Sequence, residues 1–330
     1  MKKSILFISQ RFPYPLTDGG NIRTFKILQA LSARYAVTLV ASRCGDASVE
    51  ASLKSVRDIC VDAVCVPDVK SRRPSQLARV AARSLLRRIP LAVAFNHNPH
   101  IEREYRTRVA SGSFQWIHLN HLDTAQYLEI GSGGARIALD SHNLLYKFYS
   151  KIASHGGNPL VKLASRVEGM RMKAYEFRVF RKVDRLLVCS GVEREALQGH
   201  GIGKGVLVVP NGVDCGYFHP PAHGYADNPP TVVFTGVMGY PPNSDAAAHF
   251  IRDVMPLLRP MVPGVRFLAV GKDPPESLLQ LGREHADVTV TGSVPDVRTH
   301  VWGSSVFAVP IRMGAGTRLK ILEAFAMGIP

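Results

Sequence analysis

The chain has 330 residues, of which 46% are hydrophobic and 20% are charged, a composition typical of folded globular proteins. No stretch approaches the roughly 18 apolar residues that a membrane-spanning helix needs. The apolar run Ile5–Ile8 is also too short for a signal peptide, because Gln10 and Arg11 close it. At roughly 100–200 residues per domain, two domains are expected.

The net charge of +15 is concentrated in one part of the chain. Residues 1–200 hold 31 basic and 16 acidic residues, whereas residues 201–330 hold ten of each. A basic half indicates binding to nucleic acid, to an anionic membrane or to an anionic substrate. Nucleic acid is the weaker interpretation, because no zinc-finger, basic-zipper or RNP pattern accompanies the charge.

The five cysteines form neither a metal-ligand pattern nor a redox pair. We expect them to be small buried residues of a protein in a reducing compartment, which indicates the cytoplasm. They are Cys44, Cys60, Cys65, Cys189 and Cys215.

Short β-branched runs alternate with helical patterns along the chain, which predicts parallel sheets covered by helices on both faces. The first series of predicted strands is Ile5–Ser9, Val37–Ala41, Ala63–Val66, Trp116–Leu119, Ile137–Asp140 and Leu186–Ser190. The second series is Val206–Val209, Val232–Thr235, Phe267–Val270, Val288–Thr291 and Val306–Val309. Two series predict an α/β protein with two doubly wound, Rossmann-like domains, residues 1–200 and 201–330, divided at the Gly-rich segment Gly199–Lys204.

Ligands of such sheets bind at the carboxyl ends of the strands, so the loops that follow the strands are candidate sites. After the first strand, Gly19 and Gly20 open a helix. Glycines there allow a ligand to approach the backbone closely, and the free amides favour an anion. The spacing is neither a Walker A loop nor GxGxxG. An ordinary glycine turn is an equally good interpretation.

His142 follows another predicted strand, within the segment Asp140–Asn143. A histidine in this position could hydrogen-bond a ligand hydroxyl or take part in proton transfer. A single histidine at a strand end is, however, more often a satisfied polar residue.

The last predicted strand runs into a Gly-rich loop and then a helix that carries Arg318, Lys320 and Glu323. Loop amides at Gly316 and Thr317, the positive end of the helix and two cations together form a cradle suited to a diphosphate. Glu323 could accept hydrogen bonds from a ribose diol, as acidic residues do in nucleotide sites. The alternative is a solvated helix with mixed charges.

Four segments carry a family resemblance: Asn211–Asp214, Phe234–Gly236, Gly292–Asp296 and Leu322–Pro330. With these motifs the chain resembles, over essentially its whole length, the retaining family-four glycosyltransferases of GT-B fold. Tyr240–Ala246 and Gly314–Lys320 are further similar to a bacterial subgroup of sugar transferases from exopolysaccharide loci.

The resemblance implies a nucleotide-sugar donor bound in the cleft between the domains, with no metal ion and no cofactor. Gly19 and Gly20 match the family's loop near the donor phosphates, and His142 matches a histidine near the donor sugar, which makes it the candidate catalytic residue. The remaining matches are Gly236 beside the nucleotide, Val294 to Asp296 along the base, and Glu323 on the ribose.

Three departures from the family pattern stand out. The first glutamate of the family's paired-glutamate motif would fall at Ala315. The usual Arg and Lys are absent from Gly236–Asn243, and Arg318 and Lys320 are the obvious substitutes. Relatives continue beyond Pro330, so we expect an incomplete second domain whose last helix packs Leu322, Phe325 and Ala326 against the sheet.

These observations predict a transferase that moves a sugar from a nucleotide-sugar to a growing glycan or a lipid-linked acceptor in polysaccharide biosynthesis. The first domain would bind the acceptor and the second the donor, with no nucleic acid involved. Such an enzyme would be cytoplasmic, free or at the inner face of the membrane. The alternatives are an inactive truncated remnant or scaffold, a basic nucleic-acid-binding protein, and a nucleotide-sugar epimerase on the same fold.

Residues 76–88 predict an amphipathic helix that could contact the membrane. Arg79, Arg83 and Arg87 recur every four residues, with Leu77, Ala81 and Leu85 on a neighbouring face. A basic face of this kind suits anionic lipid headgroups, although a solvated surface helix is an equally good interpretation.

Overall fold

A computed structural model describes residues 2–16, 18–43, 48–70, 73–155, 158–222, 224, 229–312 and 318–330. The chain divides into two compact domains, Met1–Pro210 and Asn211–Pro330. Each domain is built on one parallel β-sheet with helices on both faces, so the predicted α/β class with two doubly wound domains is confirmed.

The strands of the first domain are β1 (Lys3–Ser9), β2 (Tyr35–Ser42), β3 (Asp62–Val66), β4 (Trp116–Asn120), β5 (Arg136–Asp140), β6 (Arg185–Val188) and β7 (Val206–Val208). Its helices are α1 (Gly19–Ser32), α2 (Val49–Ser55), α3 (Pro74–Leu86), α4 (Leu91–Phe95), α5 (Pro99–Ala110), α6 (Leu145–His155), α7 (Pro159–Phe180) and α8 (Gly191–Gln198), with a 3₁₀ helix at Leu122–Ile130. The strand order is β3-β2-β1-β4-β5-β6-β7, and every pairing is parallel.

The second domain contains β8 (Thr231–Thr235), β9 (Arg266–Val270), β10 (Val288–Val290) and β11 (Val306–Phe307). Its helices are α9 (Pro241–His249), α10 (Met255–Leu258), α11 (Glu276–Arg283), α12 (Val297–Trp302) and α13 (Leu319–Ala326), with a π-helical segment at Phe250–Val254 between α9 and α10. The order β10-β9-β8-β11, again all parallel, repeats the arrangement of the first four strands of the first sheet.

The domain border differs from the sequence prediction. β7 was expected to open the second domain, but Leu207 pairs with Leu187 of β6 in the first sheet. The Gly-rich segment is therefore a turn inside the first domain. Gly205 has a positive φ of 76°, and a Cβ on it would lie 2.5 Å from the carbonyl oxygen of Asp184. The border falls after Pro210 rather than near residue 200.

Alternate residues of the central strands pack on opposite faces of the first sheet. Leu6 and Ile8 belong to one buried cluster, while Phe7 belongs to a second cluster with Leu28 of α1. Strands that are buried on both faces read as continuous apolar runs, which is why the sequence pattern identified them.

Helix α3 is present as predicted, with Arg79 and Arg87 exposed and Arg83 half-buried. Arg87 pairs with Glu129 at 2.5 Å and Arg83 lies 3.9 Å from Glu102. Leu85 and Leu86 are exposed as well. The solvent side of this helix therefore carries both arginines and leucines.

Two expectations about burial were wrong. Among the described cysteines only Cys189 is buried, because the others lie at half-buried or exposed positions. Phe325 of α13 is exposed, and the helix packs through Ala324 instead. Met327 and Ile329, which follow α13, complete the contact with the second sheet.

Candidate functional site

A cavity of about 290 Å³ opens at the carboxyl ends of β1 and β4. The strand order reverses between these two neighbours, and such switch points are where doubly wound sheets bind ligands. The lining is almost entirely polar and comes from the segments after β1 and β4, from the start of α1 and from the segment after β5. It includes Ser9, Gly20, Asn120, His121, Asp123 and His142.

Gly19 and Gly20 begin helix α1 beside this cavity. Asp18 caps the helix by accepting a hydrogen bond from the amide of Asn21 at 3.1 Å. A Cβ on Gly20 would lie 3.2 Å from Asp18 Oδ1 and 3.9 Å from His142 Nδ1. The start of α1 therefore lies close to His142, and one of its free amides, that of Asn21, is already bonded to the Asp18 carboxylate. A contact with donor phosphates stays a prediction.

A buried ion pair lies directly beneath the cavity. The guanidinium of Arg23 on α1 donates to both carboxylate oxygens of Asp140, with Nη2 2.7 Å from Oδ1 and Nε 3.0 Å from Oδ2. Burial by itself raises the pKa of Asp140, but the hydrogen bonds from His142 and Arg23 and the positive charge of Arg23 hold it well below its usual range. Asp140 is therefore a permanent anion that joins α1 to the end of β5.

His142 is anchored on that anion. Its Nε2 lies 3.3 Å from Asp140 Oδ2 and 3.2 Å from Asn120 Oδ1. Since both neighbours are hydrogen-bond acceptors, we assign the proton to Nε2, which leaves Nδ1 as an acceptor on the side of Gly20. Burial lowers the pKa of His142 despite the opposing effect of Asp140. The imidazole is therefore neutral at neutral pH.

His121 is a second histidine of the cavity, which the sequence reasoning did not identify. Its Nδ1 lies 3.3 Å from Asp123 Oδ2, and Asn96 donates to that same oxygen at 2.8 Å. Burial lowers the pKa of His121, but Asp123 more than offsets this, so the net direction is upward. The rings of His121 and His142 meet edge to face at 5.3 Å. One cavity thus holds two imidazoles whose pKa values are pushed apart, an arrangement suited to separate acid–base roles.

The backbone of His121 is also unusual, because it has a positive φ of 75°. A non-glycine residue in this region is disfavoured, and such conformations concentrate at functional sites. Its amide donates to the carbonyl oxygen of Asp140 at 2.9 Å, which fixes the position of the loop. The strand-end rule that selected His142 would have selected His121 had it been applied to β4.

Two buried carboxylates hold the segment after His142. Glu176 on α7 accepts hydrogen bonds from the amides of Leu145 and Tyr146 at 2.7 and 3.0 Å, and these amides belong to the first turn of α6. Glu193 accepts from the amide of Cys189 at 2.9 Å. Burial raises the pKa of Glu176 to about 7, because the two amide hydrogen bonds offset desolvation only in part.

The raised pKa of Glu176 predicts a pH-dependent stability. The folded pKa of about 7 lies above the ordinary value of 4.5, so this contribution is fully present below about pH 4.5 and is lost as the pH rises through 7. At 1.36 kcal/mol per pKa unit, the loss is at most about 3 kcal/mol. Urea unfolding at pH 5 and pH 8 measures it. Glu176→Gln should remove this component, and parallel pH profiles for the two proteins would contradict the assignment.

The second domain places a half-buried lysine at the equivalent switch point, between β8 and β11. Lys320 Nζ donates to the carbonyl oxygen of Thr235 and to Asn243 Oδ1, the latter at 3.2 Å, and lies 4.3 Å from the centroid of the Phe234 ring. Burial, with the nearby charge of Arg318, lowers the pKa of Lys320 to about 8, while Glu323 opposes the shift. A cation at this strand end can neutralise an anionic ligand.

Gly236 lies directly beside Lys320 and Asn243. A Cβ on it would lie 2.8 Å from both Lys320 Nζ and Asn243 Nδ2. A Cβ on Gly271, at the end of β9, would overlap the carbonyl oxygen of Gly236. The ends of β8 and β9 therefore approach so closely that only glycine fits at Gly271, whereas a side chain at Gly236 would displace Lys320 and Asn243. Gly236 and Lys320, which the sequence predicted for one site, are neighbours.

Glu323 lies one turn after Lys320 on α13, and burial raises its pKa. Arg318 immediately precedes the helix. The predicted loop residues Gly316 and Thr317 lie outside the described residues, as does Ala315. Of the diphosphate cradle predicted from the sequence, the structure therefore describes the helix and its residues Arg318, Lys320 and Glu323 but not the loop.

Val294 and Asp296 have structural contacts of their own. Val294 packs against the apolar cluster that contains Val301. Asp296 caps α12 and pairs with Arg298 at 2.6 Å. Arg298 in turn stacks 3.9 Å above the ring of Tyr217 and donates to its carbonyl oxygen. The carboxylate of Asp296 is used within the chain, and the predicted contact of this segment with a base stays a prediction.

The comparisons with known proteins identify the family. Residues 17–217 match the model described as Glycosyltransferase Family 4, and residues 229–330 match the model described as Glycosyl transferases group 1. Since the first match alone spans more than half of the sequence, the chain belongs to glycosyltransferase family 4. No curated protein matches the sequence.

Solved structures of the GT-B class share the fold. An Anabaena protein, HepE, crystallised with UDP and glucose, is 14% identical with a TM-score of 0.63 over 99% of this chain and 79% of its own. The sucrose-phosphate synthase of Thermosynechococcus elongatus is 17% identical with a TM-score of 0.66, over 100% and 80%. Staphylococcus aureus TarM, solved with UDP and a glycerol glycoside, is 9% identical with a TM-score of 0.64, over 99% and 85%. The chain is thus a glycosyltransferase of GT-B fold.

Proposed function

We propose that the enzyme transfers a sugar from a nucleotide-sugar donor to a growing glycan or lipid-linked acceptor in polysaccharide biosynthesis, with retention of the anomeric configuration. The observation that carries this proposal is the half-buried Lys320 beside Gly236 at the switch point of the second sheet. UDP or a UDP-sugar occupies the solved structures of HepE. Retention, the hexose-type donor and the exopolysaccharide pathway rest on the family resemblance.

In this proposal the second domain binds the donor. Transfer breaks the bond between the anomeric carbon and the β-phosphate oxygen, so negative charge develops on a leaving diphosphate. Lys320 and Arg318 would neutralise that charge, and Glu323 would accept hydrogen bonds from the ribose. Positioned cations of this kind can stabilise a phosphate leaving group without a metal ion.

The first domain would bind the acceptor and orient the sugar. The neutral His142 presents Nδ1 as an acceptor, which suits a sugar hydroxyl, and Asp140 holds the ring in that tautomer. The acceptor hydroxyl oxygen would bond to the anomeric carbon as the bond to the β-phosphate oxygen breaks, and the hydroxyl proton would pass to that departing diphosphate oxygen. Gly19 and Gly20 would let the donor phosphates approach the start of α1.

A change at Arg318 tests the donor site. Arg318→Ala should weaken binding of UDP at least about tenfold, because a charge-assisted contact is worth roughly 1.5–3 kcal/mol. Isothermal titration calorimetry with UDP measures the affinity. The control is Arg252→Ala, which removes an exposed arginine of the same domain. Equal affinities for the wild type and Arg318→Ala would remove Arg318 from the site.

Peripheral contact with the inner face of the membrane is the remaining part of the proposal. The described residues contain no helix with the length and apolarity to cross a bilayer. The excess of basic residues in the first domain supports electrostatic attraction to an anionic surface. Arg83 and Arg87 of α3 are paired with glutamates, so the basic residues of α3 alone do not account for such a contact.

A further inference from the structure

Helix α7 exposes a continuous apolar stripe to solvent. Leu160, Leu163, Val167 and Met170 are spaced by three or four residues, so they lie on one face of the helix. Between 46% and 76% of each of these residues is exposed. The opposite face is buried through Met172, among others. The stripe therefore covers no part of the domain core.

A cationic groove borders the stripe on one side. It lies between α6 and α7, has a volume of about 250 Å³ and shares Met170 with the stripe. Arg166 and Lys173 line it together with the hydroxyls of Ser150 and Ser154. The helices can approach closely here because α7 has Gly169, where a Cβ would lie 3.1 Å from Tyr149 Cβ.

Further exposed leucines border the stripe on its other side. Arg171 of α7 donates to Ser84 Oγ at 2.6 Å and to the carbonyl oxygen of Ile89 at 2.8 Å. These bonds hold the corner between α3 and α4 against α7. The corner exposes Leu85, Leu86 and Leu91, which extends the apolar surface beyond a single helix.

The positive charge of this surface favours an anionic binding partner. Residues 145–180 contain seven lysines and arginines and two glutamates, and one of these glutamates, Glu176, is fully buried. A second copy of the chain would place Arg166 and Lys173 opposite like charges. An anionic bilayer matches both the cations and the exposed leucines of this surface. Its headgroups pair with the cations, and its acyl boundary accepts the leucines.

We propose that the α7 stripe, the α6–α7 groove and the Leu85–Leu91 corner together form a docking surface for anionic phospholipid membranes. In this arrangement Leu163 and Met170 enter the headgroup–acyl boundary, and Arg166 and Lys173 contact lipid phosphates. The inference deepens the proposed function, since a docked enzyme would meet a lipid-linked acceptor at the membrane surface.

Vesicle sedimentation of the full chain tests the surface. The wild type should bind vesicles of phosphatidylcholine with 30% phosphatidylglycerol far better than pure phosphatidylcholine vesicles. The double variant Leu163→Glu/Met170→Glu should lower the partition coefficient at least about tenfold. Leu257→Glu/Met261→Glu is the matched control, because both residues are exposed in the second domain, and it should bind like the wild type.

Three outcomes would overturn the proposal: equal binding to both vesicle types, an α7 double variant that binds like the wild type, or a dimer in sedimentation velocity that this variant abolishes. Arg166→Glu is a milder second test, because it changes one exposed side chain, and it should also weaken binding to the anionic vesicles. The assay needs neither donor nor acceptor. Calorimetry with UDP on the same variants tests the transferase proposal separately, so that either proposal can fail alone.

Discussion

Replacing Asp140 with asparagine is expected to lower the free energy of unfolding of the first domain by about 3 kcal/mol or more. It is also expected to reduce sugar transfer at least about a hundredfold. The asparagine keeps the shape of the side chain but leaves the buried guanidinium of Arg23 without its counter-charge. It also removes the anion that fixes the tautomer of His142.

The stability measurement can be confined to one domain. The chain has two tryptophans, Trp116 in the first domain and Trp302 in the second. In a Trp302→Phe background, urea unfolding followed by fluorescence therefore reports the first domain. The matched control is Asp62→Asn, which breaks a surface pair with Arg108 at 2.8 Å and should cost less than about 1 kcal/mol. Similar losses in both variants would contradict the role given to Asp140.

The second large effect is expected at Lys320. Lys320→Met keeps an unbranched apolar side chain but removes the charged Nζ, which lies 4.3 Å from the centroid of the Phe234 ring. Affinity for UDP should fall up to about a hundredfold. Because the pKa of the lysine is lowered to about 8, wild-type affinity should decline as the pH rises above that value. The variant should show no such decline.

Calorimetry with UDP between pH 7 and pH 9.5 measures both effects. The control is Arg252→Met, which removes an exposed cation of the same domain and should leave the affinity and its pH profile unchanged. A Lys320→Met protein that binds UDP like the wild type and still shows the alkaline decline would exclude Lys320 from the donor site.

The fold was predictable because strands buried on both faces are continuous apolar runs with helical segments between them. All eleven predicted strands are present, and ten lie in the expected sheet. β7 was assigned to the wrong sheet because a strand's composition does not encode its partner. The Gly-rich segment suggested a domain border. Gly205, which follows it, instead allows the chain to pass close to the carbonyl oxygen of Asp184.

The candidate site was predictable only in part. Rules about strand ends and Gly-rich loops identified His142 and Lys320, and the family resemblance added Gly236. They could not identify the Arg23–Asp140 pair, because its members are 117 residues apart and neither belongs to a spacing pattern. His121 was missed for a different reason: it directly follows β4, but the strand-end rule was not applied there. Its contact with Asp123 and its positive φ could not be read from the sequence.

Transfer of a labelled sugar tests the central claim most directly. UDP-sugars would be supplied to the chain with and without a bacterial lipid extract as acceptor, and the released UDP and the labelled lipid or glycan would be measured. The account predicts that UDP and labelled product appear together only with acceptor, and that Lys320→Met and His142→Ala abolish both. Isomerisation of the UDP-sugar without acceptor would contradict the account. A chain that neither binds nor consumes a UDP-sugar under any condition would contradict it as well.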